Sequence, residues 1–300
     1  MSASFLRSIL FQLRRIFHLP ARDFAYLTHP LFNRDTTSTG IAQKQLLAQY
    51  AQLKQPLPIN QVGFRCFSQF DEDGILLYIF SQIGFGQKIG IEIGADCSGD
   101  YFAFPESNLT NLLVYHGWQG LLIDADAAHV RQLQRFFRNC KSITYRPPQI
   151  VQATVTRDTI NQLIEKAGLS GEIDLFSLDT DGNDYWLFQA LEVVRPRVLV
   201  LEFNHFWQGR AAVTIPYQED LAAFGRLCQH HPEYFGASLA AMVKLADKKG
   251  YRLVALNSFG HNAFFVRKDL GRRVFKKMEI PVQSKANVRQ KKITLPLQKV

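Results

Sequence analysis

Cysteine is scarce in this sequence, with 4 residues among 300. No two of them form a C-x-x-C pair, and no histidine lies at the spacing of a zinc site beside any of them. The pattern therefore indicates neither a disulfide framework nor a structural zinc site. We expect reduced and mostly buried thiols in a cytoplasmic protein. They are Cys66, Cys97, Cys140 and Cys228.

Long apolar runs are also missing from the sequence. Near the N-terminus, apolar residues recur at helical spacing, but arginines interrupt them and no small-residue cleavage site follows. We therefore expect neither a signal peptide nor a membrane-spanning helix. Residues 1–17 fit two other structures equally well, a helix lying in a membrane interface or a helix docked on the domain.

Most of the chain has no excess of positive charge, although the formal net charge is +9. Residues 267–300 contain eleven basic and two acidic side chains, so they account for the whole excess. Such a tail binds nucleic acid or anionic lipid, or it is simply a solvated chain end. We predict no specific nucleic-acid partner. An anionic membrane surface remains a candidate partner, with the protein cytoplasmic or peripheral on the membrane.

Internal repeats and low-complexity tracts are absent, and 300 residues with 47% hydrophobic content can bury a substantial core. We expect one main domain with appendages. Residues 1–67 are predicted to form an N-terminal amphipathic helix, a linker and a cap, with one helical stretch at 41–53. Residues 68–270 are the main domain, and residues 271–300 are a basic tail.

From residue 68 onward, short apolar runs alternate with helical stretches, which is typical of a parallel sheet. Strands are predicted at residues 89–93, 120–124, 149–155, 173–179, 198–203, 251–257 and 263–267. Helices are predicted at residues 73–82, 108–116, 127–139, 157–167, 185–193 and 239–249. A short turn joins the last two strands, so they should pair antiparallel. The predicted fold class is α/β, with a doubly wound, mostly parallel seven-stranded sheet that ends in an antiparallel hairpin.

The dinucleotide fingerprint G-x-G-x-x-G is absent after the first predicted strand, where Asp96 and Cys97 stand in place of its later glycines. This disfavours a nicotinamide or flavin enzyme, whose pyrophosphate needs close backbone amides. Gly94 at the strand end would let a ligand approach the backbone. S-adenosylmethionine has no phosphate and carries a sulfonium cation, so an acidic loop with Glu92, Asp96 and Asp100 suits it better. An ordinary polar loop explains Asp96 and Asp100 equally well.

Asp124 and Asp126 follow the second predicted strand. A carboxylate at this point can accept both ribose hydroxyls of an adenosine. Asp124 is the stronger candidate for that role, whereas Asp126 is placed to cap the following helix.

The fourth predicted strand leads into Asp179, Asp181, Gly182 and Asp184. Alternation puts Asp179 and Asp181 on one side, and Gly182 is expected to permit a sharp turn that lifts Asp181 over the crevice. Carboxylates here can orient an acceptor hydroxyl, take its proton or hold a hard divalent cation, although we predict no metal. The structural alternative makes Asp184 a helix N-cap and Asp179 a structural carboxylate.

The fifth predicted strand brings Glu202, Asn204 and His205 to the same edge. We favour His205 as a general base because the ordinary pKa of histidine lies near neutrality, and a structural histidine is at least as good an explanation. Residues 214–217 and 234–238 indicate a substrate-side insertion, whose aromatic side chains either stack on a sugar or only pack.

Four ordered motifs carry a resemblance to a known family. They are SQFDEDG at 68–74, EIG at 92–94, NLTN at 108–111 followed by GWQGLLID at 117–124, and IDLFSLDTDG at 173–182. In order and spacing they resemble the FkbM-type methyltransferases. That family has a class I, Rossmann-like fold and transfers a methyl group from S-adenosylmethionine, typically to a hydroxyl of a sugar, polyketide or related metabolite. The resemblance implies that Glu92, Gly94 and Asp124 contact the cofactor, and that Asp179 and Asp181 lie near the transferred methyl.

These observations together predict an S-adenosylmethionine-dependent O-methyltransferase acting on a small molecule or glycan. The catalytic candidates are Asp181 and His205. The candidate cofactor contacts are Glu92, Gly94, Asp96, Asp124 and Asp179. The candidate substrate contacts are Asn183, Glu202, Asn204 and Tyr217.

Two rival hypotheses come from other functional classes. Residues 95–98 lack the second glycine-bearing turn that is usual in the family. Together with the amphipathic N-terminus and the basic tail, this fits a degenerate methyltransferase fold that serves as a membrane-associated binding protein. The other rival is a metal-dependent hydrolase built on Asp179, Asp181 and Glu202, which a chelator would inactivate.

Overall fold

A computed structural model describes residues 36–97, 104–143, 145–207, 211–280 and 295–300. The predictions for residues 1–17, for Asp100 and for residues 281–294 of the basic tail lie outside the described residues. Within the described ranges, every helix is too short or too polar to cross a membrane.

Helices and strands alternate along the described chain. The helices are α1 Thr36–Ala51, α2 Glu72–Ile83, α3 Thr110–His116, α4 Ala127–Asn139, α5 Ile160–Lys166, α6 Asp184–Ala190, α7 Leu221–His230 and α8 Leu239–Lys248. The strands are β1 Ile89–Ile93, β2 Gln119–Asp124, β3 Gln149–Gln152, β4 Gly171–Leu178, β5 Val194–Glu202, β6 Val213–Thr214, β7 Tyr251–Leu256, β8 Asn262–Arg267 and β9 Gln298–Lys299.

Seven of these strands form one sheet in the order β3-β2-β1-β4-β5-β8-β7. Strands β1 to β5 are parallel, and β8 runs antiparallel to both of its neighbours. The predicted doubly wound α/β fold with an antiparallel terminal hairpin is confirmed. The chain moves outward from β1 to β3 and then returns to β4 on the other side of β1. The carboxyl ends of β1 and β4 therefore flank the switch point at which ligands bind in such sheets.

Apolar side chains cover both faces of the sheet, as the uninterrupted apolar run at residues 198–201 requires. In β5, Val198 and Val200 contribute to the core beneath α2, α3 and α4. Leu199 and Leu201 contribute to the opposite core, beneath α5, α6 and α8. All four side chains are fully buried, so alternation along one strand supplies both layers.

Strand β5 begins at Val194, four residues before the predicted start at residue 198. The predicted strand therefore left out Pro196, a residue that has no N–H to donate to a central sheet. In the structure, β8 pairs with β5 only from Val198 onward, and Pro196 pairs on one side with Ile173 of β4. The proline therefore lies where the strand has a free edge.

Helix α7 and the small antiparallel sheet of β6 and β9 were not predicted from the sequence. Asp220 caps α7 by accepting a hydrogen bond from the Ala223 amide at 2.8 Å. These elements enclose a third, smaller apolar cluster around Trp207, Phe224 and Tyr234. The predicted substrate-side insertion therefore packs around an apolar cluster of its own.

Helix α1, the described part of the predicted cap, joins the main domain through a buried polar network. The Gln43 amide nitrogen donates to Asn111 Oδ1 at 3.0 Å, and Gln43 Oε1 lies 2.8 Å from His116 Nε2. Burial lowers the pKa of His116 to about 4, and the charges of Lys44 and Lys88 act in the same direction. His116 is thus neutral in the folded protein across the neutral range.

We expect His116 to lower the free energy of unfolding by about 2 kcal/mol between pH 7 and pH 5, against the opposite contribution of the buried carboxyl groups whose pKa values are raised. The folded-state pKa is below the unfolded value, so the unfolded chain takes up the proton first and stability is lost between about pH 6.5 and 4. Urea unfolding at both pH values measures the effect. His116→Gln should remove this component, and parallel pH profiles for the two proteins would contradict the assignment.

Candidate functional site

A cavity of about 570 Å³ opens at the carboxyl ends of β1, β2, β4 and β5, beside the switch point of the sheet. Its volume lies within the range of small-molecule sites. Nine of the eleven residues predicted for the site line it, and Asn204 and Tyr217 do not. The nine are Glu92, Gly94, Asp96, Asp124, Asp179, Asp181, Asn183, Glu202 and His205.

The lining of this cavity is strongly acidic. Eight carboxylates and three histidines line it, and no lysine or arginine is among the described residues of its wall. The carboxylates are Glu92, Asp96, Glu106, Asp124, Asp126, Asp179, Asp181 and Glu202, and the histidines are His129, His205 and His261. Such a wall attracts cationic groups and repels phosphates.

Gly94 allows the carboxyl end of β1 to approach the residue that follows β4 closely. Its φ is +86°, and a Cβ at this position would lie 1.5 Å from the carbonyl oxygen of Asp179. The Gly94 amide donates to Ile123 O at 2.9 Å, and the Asp179 amide donates to Ile93 O at 3.0 Å. The expectation that Gly94 makes room for a ligand is therefore refined, because the space of its missing side chain is filled by the end of β4.

The Glu92 carboxylate accepts its hydrogen bonds from other groups of the protein. Glu92 is 4% exposed, and its carboxylate accepts hydrogen bonds from the Ser107 hydroxyl and from the Asn108 amide, the latter at 2.8 Å. Burial raises its pKa to about 7. Glu92 thus fixes the segment that leads into α3 and forms one wall of the cavity.

Asp124 at the end of β2 belongs to a cluster that the sequence revealed only in part. Its Oδ1 accepts the Asp126 amide at 2.6 Å and lies 3.4 Å from Nδ1 of His129. His129 Nε2 is 3.3 Å from Asp96 Oδ1, so the imidazole bridges two carboxylates. Burial raises the pKa of Asp124. Asp126 caps α4 through the Ala128 amide, as predicted.

Asp179, Asp181 and Glu202 form the second acidic cluster. Each offers a carboxylate oxygen, and these three oxygens lie within 4.8 Å of one another. Burial raises the pKa values of Asp179 and Glu202 well above their ordinary range, and the repulsion between neighbouring carboxylates adds to the effect.

The turn after β4 differs from its predicted form. Asp181 itself takes the left-handed conformation, with φ of 55°, whereas Gly182 has an ordinary φ. Aspartate tolerates this region better than most residues do. Gly182 is needed for another reason, because a Cβ there would lie 2.9 Å from the Phe224 ring of α7.

Asp184 stabilises this turn through hydrogen bonds to its backbone. It is not the N-cap residue of α6, which is Asn183. Its carboxylate accepts the amides of Thr180 at 2.7 Å and Gly182 at 3.1 Å, and burial raises its pKa to about 6. The Asn183 amide group exchanges two hydrogen bonds with the backbone of Gln218. Both side chains therefore hold the loop that presents Asp181.

His205 follows β5 in a short 3-10 turn and meets a second histidine that the sequence did not reveal as part of the site. Its ring centroid lies 4.3 Å from that of His261, which comes from the turn between β7 and β8. Burial and the neighbouring imidazole lower the pKa of His205. His205 is therefore neutral at neutral pH, the form that can accept a proton.

Asn204 and Tyr217 are placed away from the cavity. Asn204 is fully buried, and its amide nitrogen donates to Glu233 O at 2.9 Å and Phe235 O at 2.8 Å. The Tyr217 ring lies 4.3 Å beneath the guanidinium of Arg157. Both predicted substrate contacts therefore organise loops in the structure.

Buried carboxylates of the SQFDEDG motif hold together segments next to the cavity. Asp73 Oδ2 accepts the amides of Cys66, Phe67 and Ser68. Fully buried Glu72 accepts hydrogen bonds from the side chains of Asn257 and Asn262 at 2.8 and 3.1 Å. These bonds tie the segment before α2 to the β7–β8 turn, which carries His261 into the cavity.

Comparison with known proteins gives weak structural likenesses. No protein-family model matches the chain, and no curated protein matches it. Among solved structures, magnesium protoporphyrin IX methyltransferase (ChlM) from Synechocystis PCC 6803 with bound SAM is 14% identical and aligns over 65% of this chain and 77% of its own, with a TM-score of 0.39. An O-methyltransferase from Bacillus cereus in complex with SAH is 16% identical over 77% of this chain and 91% of its own, with a TM-score of 0.38. The CurJ carbon methyltransferase is 14% identical over 87% of this chain and 70% of its own, with a TM-score of 0.40. Likeness at this level does not transfer a site or an activity to this chain.

Proposed function

We propose that this protein is an S-adenosylmethionine-dependent methyltransferase of the FkbM type, which methylates a hydroxyl of a neutral or cationic acceptor such as a sugar, polyketide or related metabolite. The observation that carries the proposal is the cavity at the switch point, whose wall has eight carboxylates and, among its described residues, no lysine or arginine.

The residues present fit this cofactor better than they fit a dinucleotide. A pyrophosphate would meet eight carboxylates and no lysine or arginine among the described residues of the wall. A sulfonium cation is favoured by the same charges. Asp124 lies at the end of β2, where a carboxylate can accept hydrogen bonds from a ribose.

The protein's own contribution would be positioning and proton removal. When bound, S-adenosylmethionine supplies an activated methyl group. Neutral His205 lies at the cavity wall next to Phe206. It follows β5, whereas Asp124 ends β2 on the other side of β1 and β4. His205 can take the hydroxyl proton of an acceptor. Holding two reactants in line contributes up to roughly 7–11 kcal/mol in favourable cases.

Thermal unfolding with added ligand tests the proposal. S-adenosylmethionine or S-adenosylhomocysteine at 100 times its dissociation constant should raise the free energy of unfolding by about 2.7 kcal/mol. NAD⁺ at the same concentration, as a pyrophosphate-bearing control, should have no effect. Stabilisation by NAD⁺ alone, or by none of the three, would overturn the proposal, and the second result would leave the degenerate binding protein and the metal-dependent hydrolase.

Replacing Asp124 by alanine should weaken S-adenosylhomocysteine binding roughly 10- to 100-fold, because hydrogen bonds to a charged acceptor contribute about 1.5–3 kcal/mol. Calorimetric titration measures the change. Asp158→Ala is the control, since it removes an exposed carboxylate that does not line the cavity. The control should leave the affinity unchanged. Equal affinities for wild type and Asp124→Ala would exclude Asp124 from the site.

A further inference from the structure

The acidic cluster of Asp179, Asp181 and Glu202 brings three carboxyl groups together at the carboxyl ends of two neighbouring strands. The parallel pairing of β4 and β5 places Leu178 beside Leu201, so Asp179, which follows β4, lies near Glu202, the last residue of β5. Their three carboxylate oxygens lie within 4.8 Å of one another. No lysine or arginine lines the cavity among the described residues, so nothing of opposite fixed charge faces the cluster there.

A second observation points to a ligand at the same place. Glu202 is 8% exposed, and its Oε2 atom is buried without a hydrogen-bond partner among the described residues. Glu202 nevertheless lines the cavity. A buried carboxylate oxygen is normally paired, because leaving it unpaired is costly.

We infer that Asp179, Asp181 and Glu202 form a binding site for a hard divalent cation, Mg²⁺ or Mn²⁺. Carboxylate oxygens are the ligands that these ions prefer, and no cysteine is among the described residues of the cavity wall. The cation would pair with the free Glu202 oxygen and offset the charge of the cluster. Asp181 is exposed on the cavity side, so water molecules complete the coordination shell there.

The cation also has a consequence for the acceptor, which rests on the proposed methyltransferase function. Its open coordination positions face the cavity, and a hydroxyl oxygen can replace a water there. Mg²⁺ keeps several exchangeable positions of this kind when only a few carboxylates hold it. The acceptor is therefore expected to be an oxygen compound that the metal orients.

Titration of the full chain with MnCl₂, followed by the electron paramagnetic resonance signal of free Mn²⁺, tests the site without any cofactor. We expect saturable binding of a single Mn²⁺ that Mg²⁺ displaces. Asp181→Asn and Glu202→Gln should each weaken it at least about tenfold, since even the loss of partners that only support metal ligands costs 10–100-fold. Asp158→Asn, which removes an exposed charge outside the cavity, should leave Mn²⁺ binding unchanged.

The outcomes separate this inference from the proposed function. Absence of saturable Mn²⁺ binding, or equal binding by wild type and Asp181→Asn, overturns the metal site. Because Asp181 is exposed, its substitution is decisive even if Glu202→Gln fails to fold. S-adenosylhomocysteine binding without Mn²⁺ binding would retain the methyltransferase and reject the metal. Mn²⁺ binding without S-adenosylhomocysteine binding would retain the metal site and reject the methyltransferase. Asp124→Ala should weaken the binding of S-adenosylhomocysteine and leave Mn²⁺ binding unchanged.

Discussion

Replacing Asp73 by alanine is expected to lower the free energy of unfolding by about 3 kcal/mol or more. The Asp73 carboxylate is almost fully buried, and its Oδ2 atom accepts three consecutive backbone amides at 2.6, 2.7 and 2.9 Å. Its own amide donates to the Ser68 hydroxyl at 3.2 Å. Alanine would leave several donors unpaired at once, and each buried unpaired group costs roughly 1–3 kcal/mol.

Urea unfolding at pH 7 measures this loss, with Asp71→Ala as the matched control. Asp71 belongs to the same motif, but its carboxylate accepts exposed hydrogen bonds from the amide and hydroxyl of Ser258. Its removal should cost about 1 kcal/mol. If Asp73→Ala were no less stable than Asp71→Ala, the buried hydrogen bonds of Asp73 would not be what stabilises this segment.

The sheet could be predicted from the sequence because its signals are local. Short apolar runs such as residues 198–201 alternate with helical stretches, and this alternation indicates parallel connections. Strand ends were less predictable, as Pro196 shows. Whether a proline falls beside an unpaired edge depends on where β8 stops, and that information lies some seventy residues further along the chain.

The acidic residues of the site were predictable for the same reason, since parallel strands deliver their carboxyl ends to one edge. His129 and His261 were missed, because only the folded structure shows that the first turn of α4 and the β7–β8 turn face that edge. Asn204 was assigned to the substrate from its position after β5. Its side chain instead donates hydrogen bonds to the carbonyl oxygens of Glu233 and Phe235, and no local sequence pattern predicts these contacts.

Helix α7 did carry a sequence signal that was passed over. Asp220 is an N-cap residue, and Phe224, Leu227 and Cys228 follow at helical spacing. Gly225 and the nearby prolines obscured the pattern. The helix matters for the site because Phe224 packs over Gly182, in the turn that presents Asp181.

Gly94→Ala should have the largest effect on the site, with a loss of more than about 3 kcal/mol in the free energy of unfolding and no measurable S-adenosylhomocysteine binding. A Cβ at Gly94 would lie 1.5 Å from the carbonyl oxygen of Asp179. That oxygen belongs to the backbone, so it cannot move aside as a flexible side chain would. Relief of the clash requires β1 and β4 to separate at their carboxyl ends, where Asp179 and Asp124 face one cavity.

Gly250→Ala separates the clash from backbone strain. Gly250 has φ of +92°, close to the +86° of Gly94, but a Cβ there would have no atom within 4 Å. It should therefore lose only about 1 kcal/mol, the cost of placing alanine at positive φ, and keep its ligand affinity. Chemical denaturation and calorimetric titration of both variants provide the comparison. If Gly94→Ala bound S-adenosylhomocysteine as well as Gly250→Ala does, the close approach of β1 to the end of β4 would not be what shapes the cavity, and Gly94 would be only a residue of the turn.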